Sequence, residues 1–152
     1  MKHLNIIYFG TPDFSARFLE KLLTDKNLPV EVKLVVTQPD QPLGRKQILT
    51  PTPVKIVASK YSLKFEIWRL NENWKLKIEN LLINTDVVLL YAFGELIPVD
   101  WLTLPKYGFW CIHPSLLPKY RGTSPMATAL INGDKTTGVT IIKMDEKIDH
   151  GP

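Results

Sequence analysis

Short apolar runs alternate with amphipathic segments of helical spacing along almost the whole of this chain. Strands separated by helices are joined by crossover connections, which make the strands parallel and put helices on the faces of the sheet. The order therefore predicts an α/β protein with a mostly parallel sheet and helices on both faces. We expect strands at residues 4–9, 32–37, 64–68, 86–91, 108–113 and 138–144, and helices at about 14–23, 54–61, 72–83 and 124–131.

The turn after the first predicted strand reads Gly10-Thr11-Pro12-Asp13. Thr11 is suited to cap the following helix, Pro12 to occupy its first position, and Asp13 to interact with the positive end of its dipole. The dinucleotide-binding fingerprint needs three glycines in such a turn, whereas Gly10 stands alone here. The sequence therefore argues against a classical NAD site.

The composition is that of an ordinary globular domain. The chain has 152 residues, of which 45% are hydrophobic and 22% are charged, enough for one domain with a substantial core. No apolar run approaches the roughly 18 residues of a membrane-spanning helix, and the first residues lack a signal-peptide layout. Cys111 is the single cysteine, and no Cys/His cluster has the spacing of a zinc site. We therefore expect a cytoplasmic protein with no membrane partner and no metal.

Basic residues are concentrated in one stretch. The net charge is +4, yet residues 41–65 contain five basic side chains and no acid: Arg45, Lys46, Lys55, Lys60 and Lys64. Such a region suggests an anionic partner such as phosphate or nucleic acid, although a solvated lysine face gives the same pattern. Two prolines and Gly44 predict that residues 38–46 form a loop without regular elements.

Two residues that could do chemistry follow predicted strands. Because ligands of open α/β sheets bind beyond the carboxyl ends of the strands, His113 is expected at a ligand-binding edge. Asp149 follows the sixth predicted strand, and its loop could approach His113, where a carboxylate would orient an imidazole. A solvated turn is the alternative for this acidic loop. Ser115 lacks the sequence of a nucleophile elbow, and residues 119–122 could hold an anion.

Together these motifs resemble the amino-terminal part of the methionyl-tRNA formyltransferase family, over the whole chain. The His113–Pro118 motif and the closing Asp149 are common to enzymes that use formyltetrahydrofolate, including those that act on sugar nucleotides or glycinamide ribonucleotide. The earlier motifs indicate the tRNA enzyme more narrowly. The matching stretches are residues 9–14, 37–40, 44–46, 51–55, 92–94, 113–122 and 138–141, followed by Asp145, Asp149 and Gly151.

The resemblance implies a formyltransferase-like, Rossmann-like catalytic domain and a reaction. A formyl group moves from 10-formyltetrahydrofolate, the co-substrate, to the α-amine of methionine on initiator tRNA. His113 would stabilise the oxyanion and help to move protons, and Asp149 would hold His113 and a proton-relaying water. The pterin pocket would be formed by Phe93, Gly94, Glu95, Leu96 and Ile97 and by the loop that contains Asp145. Arg45 and Lys46 would contact tRNA phosphates.

Two departures from the family pattern qualify this expectation. Cys111 stands where the family has an asparagine whose amide helps to bind the oxyanion, and a thiol is a weaker donor. The chain also stops at Pro152, so we expect residues 1–152 to be a catalytic domain truncated at its carboxyl end, without the family's carboxyl-terminal β-barrel domain. We expect a monomer with doubtful activity on its own. A sugar-nucleotide N-formyltransferase and a folate- or RNA-binding domain with weak or no catalysis are the alternatives.

Overall fold

The computed structural model describes residues 3–69 and 71–152 of the chain. A six-stranded sheet has the strand order β5-β2-β1-β6-β7-β8, and a separate hairpin pairs β3 with β4. The strands are β1 Leu4–Gly10, β2 Val30–Thr37, β3 Gln41–Leu43, β4 Ile48–Thr50, β5 Phe65–Ile67, β6 Val87–Tyr91, β7 Phe109–His113 and β8 Thr140–Lys143. The helices are α1 Asp13–Thr24, α2 Pro53–Lys60, α3 Glu72–Ile83 and α4 Pro125–Ile131, with a 3₁₀ turn at Val99–Trp101.

Alternation along the central strand divides the core between the two faces of the sheet. Ile7 and Phe9 of β1 pack on the face covered by α3 and the 3₁₀ turn, whereas Tyr8 packs on the face covered by α1 and α2. Successive strand side chains point to opposite faces, so this central strand needs apolar residues throughout. The mostly parallel sheet with helices on both faces is therefore confirmed, and helix α3 has the predicted bounds.

One prediction about residues 38–46 is wrong, and one strand runs in a direction that the expected, mostly parallel sheet did not specify. Residues 38–46 do not form a loop without elements, because Gln41–Leu43 pairs antiparallel with Ile48–Thr50. The sixth predicted strand, β8, runs antiparallel to its neighbour β7, whereas the other pairings within the main sheet are parallel. The connection between β7 and β8, which contains α4, turns the chain back along β7.

The predicted cap of helix α1 is also wrong. Pro12 occupies the N-cap position and no side chain caps the helix. The Thr11 hydroxyl instead donates to the Phe93 carbonyl oxygen at 2.9 Å. Helix α3, by contrast, is capped by Asn71, whose side chain accepts from the Trp74 amide at 2.9 Å. Within the described residues, no helix is both long enough and apolar enough to cross a bilayer.

We predict that Phe9→Ala lowers the free energy of unfolding by about 3–5 kcal/mol, because it opens a cavity in the densest aromatic part of the core. The Phe9 ring lies 5.1 Å from the Phe93 ring and 5.8 Å from the Phe109 ring, centroid to centroid. Leu76→Ala is the control, since Leu76 is 59% exposed. Equal midpoints of the two variants in urea unfolding would contradict the prediction.

Candidate active site

A cleft of about 780 Å³ opens at the carboxyl edge of the parallel strands. The ends of β6 and β7 form its floor, which includes Leu90, Cys111 and His113. Residues 93–97, the loop 144–149, the start of α4 and Phe14 complete the lining. The size is in the range of small-molecule sites, and the lining is mainly apolar with few polar groups. The expected catalytic residues and the expected folate-binding residues all line this cleft, whereas the expected tRNA-binding residues Arg45 and Lys46 lie outside it.

His113 is buried at the end of β7, with 4% of its surface exposed. Its Nε2 lies 2.9 Å from the Tyr120 carbonyl oxygen. A carbonyl only accepts, so Nε2 carries the hydrogen of this bond. The other nitrogen, Nδ1, lies 3.4 Å from Oδ1 of Asp149. The ring is thus oriented by the backbone on one side and faces a carboxylate on the other.

The Asp149 carboxylate is fixed by backbone. Its Oδ2 accepts from the Gly122 amide at 2.8 Å, which leaves Oδ1 to face His113. The Arg121 guanidinium donates from Nε to the Asp149 carbonyl oxygen at 3.0 Å. These two bonds hold the residue in the left-handed region, with φ of 50°, a conformation that aspartate tolerates better than most residues. Residues 119–122, considered above as an anion site, therefore bind an anion that the chain itself supplies.

Asp149 reaches His113 by a return of the chain after β8. In the antiparallel β7–β8 pair, Thr140 lies opposite His113 and Lys143 lies opposite Trp110. Strand β8 therefore ends away from His113, and the following loop has to return to bring Asp149 beside it. The return is closed by the Lys143 amide, which donates to the Pro152 carbonyl oxygen at 2.9 Å. Gly151 permits it, because an added Cβ would lie 1.7 Å from the Lys143 carbonyl oxygen.

The loop that supplies the Tyr120 carbonyl is held by a buried serine. Ser115 has no exposed surface, and its hydroxyl donates to the Lys119 carbonyl oxygen at 2.6 Å. Thr140 in β8 donates to the Ser115 carbonyl oxygen at 2.7 Å and accepts from the Leu117 amide at 3.1 Å. Ser115 is thus a structural residue of the loop, which agrees with the absence of a nucleophile elbow around it.

Cys111 lies on the floor of the cleft, two residues before His113 in β7, with 9% of its surface exposed. Burial, and to a smaller extent the negative charge of Asp149, raises the pKa of the Cys111 thiol to about 12. The thiol is therefore neutral at physiological pH. A neutral buried thiol is a poor nucleophile, so Cys111 offers the cleft a weak hydrogen-bond donor.

Residues 93–97, which we call the folate segment, combine anchored ends with an open middle. Phe93 and Ile97 are buried, whereas Leu96 is 75% exposed. Within the part of the chain that the structure describes, no intramolecular hydrogen bond uses the backbone N–H and C=O groups of residues 94–97. Asp145, on the facing loop, accepts from the Lys147 amide at 2.9 Å and lies 2.9 Å from His150 Nδ1. The His150 bond lowers the pKa of Asp145.

The basic residues Arg45 and Lys46 lie at the exposed turn of the β3–β4 hairpin, outside the cleft. The hairpin is tied to helix α2 by Lys55, whose Nζ lies 2.7 and 2.8 Å from the two Asp40 carboxylate oxygens. At the start of α2, the buried hydroxyls of Thr37 and Thr52 are 2.8 Å apart. Arg45 and Lys46 are therefore carried on the hairpin, whereas the other three basic residues of the stretch lie in α2 or just before β5.

Sequence reasoning indicated an anion site at residues 119–122, but it did not give the roles of the backbone groups there. The Tyr120 carbonyl and the Gly122 amide hold the His113–Asp149 pair, and side-chain chemistry gives no signal for either. The sequence also gave no sign that the Thr11 hydroxyl bonds to the Phe93 carbonyl oxygen. Gly122 could have been noticed as a glycine among bulky residues, which suggests a backbone conformation that other residues avoid. Its φ of 99° is indeed accessible mainly to glycine.

Solved formyltransferases have this architecture. Phosphoribosylglycinamide formyltransferase from Anaplasma phagocytophilum aligns with a TM-score of 0.76 at 21% identity, over 99% of this chain and 69% of that one. A 4-N formyltransferase from Francisella tularensis aligns with a TM-score of 0.64 at 22% identity, over 97% and 53%. These likenesses define the class of fold: a Rossmann-like α/β protein with its cleft at the carboxyl edge of the sheet.

Sequence comparison then assigns the family. The formyl transferase domain matches residues 2–152, and the chain belongs to the formyl transferase family. The methionyl-tRNA formyltransferase of Caldicellulosiruptor saccharolyticus is 46% identical over 149 residues, 97% of this chain and 47% of that protein. The methionyl-tRNA formyltransferase of Staphylococcus epidermidis is 45% identical over 148 residues, 96% and 46%. The chain thus spans about half the length of these curated relatives.

We predict that iodoacetamide labels Cys111 in the folded protein at pH 8 at least about 100-fold more slowly than in urea, because only the thiolate reacts. A pKa of about 12 in the fold leaves a thiolate fraction of roughly 10⁻⁴ at pH 8. Mass spectrometry of timed samples gives both rates, and the folded rate should rise steeply with pH while the fold persists. Labelling of the folded protein at the urea rate would indicate an ionised, accessible thiol instead.

Proposed function

We propose that this chain transfers a formyl group from N10 of 10-formyltetrahydrofolate to the α-amine of methionine carried by initiator tRNA. The observation that carries the proposal is the buried His113–Asp149 pair on the floor of a mainly apolar cleft. The similarity to proteins named methionyl-tRNA formyltransferase supports the choice of acceptor. Acting in translation initiation, the protein would work in the cytoplasm, and we propose that it does so as a monomer.

The cleft is suited to a folate. The pterin ring has an edge of donors and acceptors, and the unpaired backbone groups of residues 94–97 supply partners for them without the cost of burying a charge. The apolar floor at Leu90, Ile142 and Met144 supports packing of the ring. Asp145 is on the facing loop and would complete the pterin pocket with the folate segment.

The reaction requires a proton to leave the attacking amine. As the amine nitrogen bonds to the formyl carbon, the carbonyl oxygen becomes an oxyanion and the nitrogen acquires positive charge. The hydrogen on His113 Nε2 is committed to the Tyr120 carbonyl, so Nδ1 is the nitrogen that can accept the amine proton, with Asp149 Oδ1 facing it. The resulting imidazolium is stabilised by the carboxylate. The C–N10 bond then breaks and N10 takes a proton, which yields the formylated amine and tetrahydrofolate.

The oxyanion needs donors in the cleft. Cys111 lies two residues before His113, at the family's asparagine position, and its neutral thiol would donate only weakly. Removing one oxyanion donor typically lowers a rate by roughly 10²–10³. We therefore propose slow transfer in the native protein, with imidazolium charge providing most of the stabilisation.

We predict that Asp149→Asn lowers the rate of formylation of methionyl-tRNA by roughly 10²–10⁴, because the amide cannot stabilise the imidazolium. Folate binding should stay within about twofold of native affinity, since the amide oxygen can still accept from the Gly122 amide. The formylation rate is measured in the protein that carries this chain, with charged initiator tRNA and 10-formyltetrahydrofolate. Folate affinity is measured by titration with 5-formyltetrahydrofolate. Equal rates for the native protein and Asp149→Asn would contradict the proposed role.

The same assay distinguishes the alternatives when Cys111→Asn is included. A faster Cys111→Asn protein supports transfer limited by the thiol. Folate binding without transfer in either protein favours a binding domain that has lost catalysis. Transfer to an amino sugar nucleotide, but not to methionyl-tRNA, favours a sugar-nucleotide N-formyltransferase.

We predict that changing Arg45 and Lys46 together to alanine weakens tRNA binding and lowers the slope of log affinity against log salt by about 1.5–2, because each lost phosphate contact removes about one released counterion. Folate affinity should not change, since the hairpin turn lies outside the cleft. The control changes two exposed lysines elsewhere, Lys26 and Lys135, to alanine. Equal slopes for the two double variants would indicate a solvated basic face.

A further inference from the structure

The Thr11 hydroxyl is placed where neither helix capping nor general packing requires it. It follows β1 directly and precedes helix α1, whose N-cap position is occupied by Pro12 and which has no side-chain cap. Instead its Oγ1 crosses to the next strand connection and donates to the Phe93 carbonyl oxygen at 2.9 Å, over 82 residues of sequence. The bond joins the turn after β1 to the first residue of the folate segment.

Both neighbours of Phe93 have a positive φ angle. Ala92 has φ of 50° and Gly94 has φ of 93°, so the peptides on both sides of Phe93 lie in conformations that most residues avoid. An added Cβ on Gly94 would meet nothing within 4 Å, so packing does not hold this peptide in place. The Phe93 ring itself is anchored, with its centroid 5.0 Å from that of Trp68. The orientation of the peptide therefore needs a polar contact.

Thr11 supplies that contact. Among the residues that the structure describes, the Thr11–Phe93 bond is the one hydrogen bond between the folate segment and the rest of the protein. The backbone groups of residues 94–97 that are open to a ligand follow directly after it. A rotation of the peptide between residues 93 and 94 would re-aim these groups, and recognition by backbone is sensitive to errors well below 1 Å.

We propose that Thr11 is a positioning residue for the formyl donor: its hydroxyl fixes the Phe93 carbonyl and thereby sets the backbone groups that read the pterin ring. This rests on the proposed function, in which residues 93–97 bind the folate. Thr11 acts through Phe93 and touches neither the amine nor the formyl carbon. Its loss should weaken folate binding and leave the His113–Asp149 pair unchanged.

The test is a fluorescence titration with 5-formyltetrahydrofolate, a stable analogue, in the protein that carries this chain. Trp68 packs on Phe93 and reports on the segment. Thr11→Val, which keeps the shape and removes the hydroxyl, should raise the dissociation constant about tenfold. Thr11→Ser, which restores the hydroxyl, should stay within about twofold of native affinity. With saturating donor, formylation by Thr11→Val should reach the native kcat at a raised KM for the donor.

Thr85→Val is the matched control. Thr85 is buried and donates from its hydroxyl to the Leu81 carbonyl oxygen at 2.7 Å, at the end of α3 and outside the cleft. The Thr85→Val protein should unfold at a lower temperature than the native protein, without any change in folate affinity. If Thr11→Val does not fold, Thr11→Cys, with a weak donor of similar size, carries the same expectation.

Native affinity in Thr11→Val, or equal weakening in Thr11→Val and Thr11→Ser, would overturn the proposal, because the hydroxyl would then not be what positions the segment. If folate binding is weakened in Thr85→Val as well, the weakened binding of Thr11→Val reflects a general loss of stability, and this result would also overturn the proposal. Absence of folate binding by the native protein is a different result. It would overturn the proposed function together with this inference.

Discussion

The edge-on packing of Phe93 against Phe9 and Trp68 connects the interior of this protein to its cleft. The ring centroids of Phe93 lie 5.1 Å from Phe9 and 5.0 Å from Trp68, with the ring planes nearly perpendicular in both pairs. Phe9 belongs to the central strand β1, and Trp68 follows the edge strand β5. Aromatic pairs of this geometry contribute beyond the area that they bury. One side chain thereby anchors the folate segment to the sheet, while its backbone remains open to a ligand.

The chemistry of the candidate site depends on backbone groups more than on side chains. The carbonyl of Tyr120 and the amide of Gly122 each hold one member of the His113–Asp149 pair. Burying a charge without partners is costly, and these bonds reduce that cost by satisfying the outward atoms of the imidazole and the carboxylate. The inward atoms, His113 Nδ1 and Asp149 Oδ1, face each other at 3.4 Å. Two residues far apart in sequence thus act as one unit because a common loop holds both.

Periodicity predicted the parts of the fold that obey a local rule. The apolar runs before Gly10 and Tyr91 and the stripe of α3 follow directly from residue spacing. The direction of β8 does not follow from residue spacing, because the apolar pattern of a strand is the same whether the strand pairs parallel or antiparallel with its neighbour. The β3–β4 hairpin was missed because Pro42 and Gly44 are typical of loops. Thr11 was misplaced for a similar reason: a hydroxyl at a helix start is common, and its actual partner, Phe93, is 82 residues away.

The reversed direction of β8 has a functional consequence that a parallel strand would not give. A parallel strand in this position would end at the cleft, and only a short loop would separate it from a following helix. Because β8 starts beside His113 and ends away from it, the chain has to travel back along the sheet, and this return forms the wall that contains Asp145 and Asp149. The return is possible only where the backbone passes Lys143 closely, at Gly151. The site therefore depends on a glycine that contributes no chemistry, in the same way that it depends on the backbone of Tyr120 and Gly122.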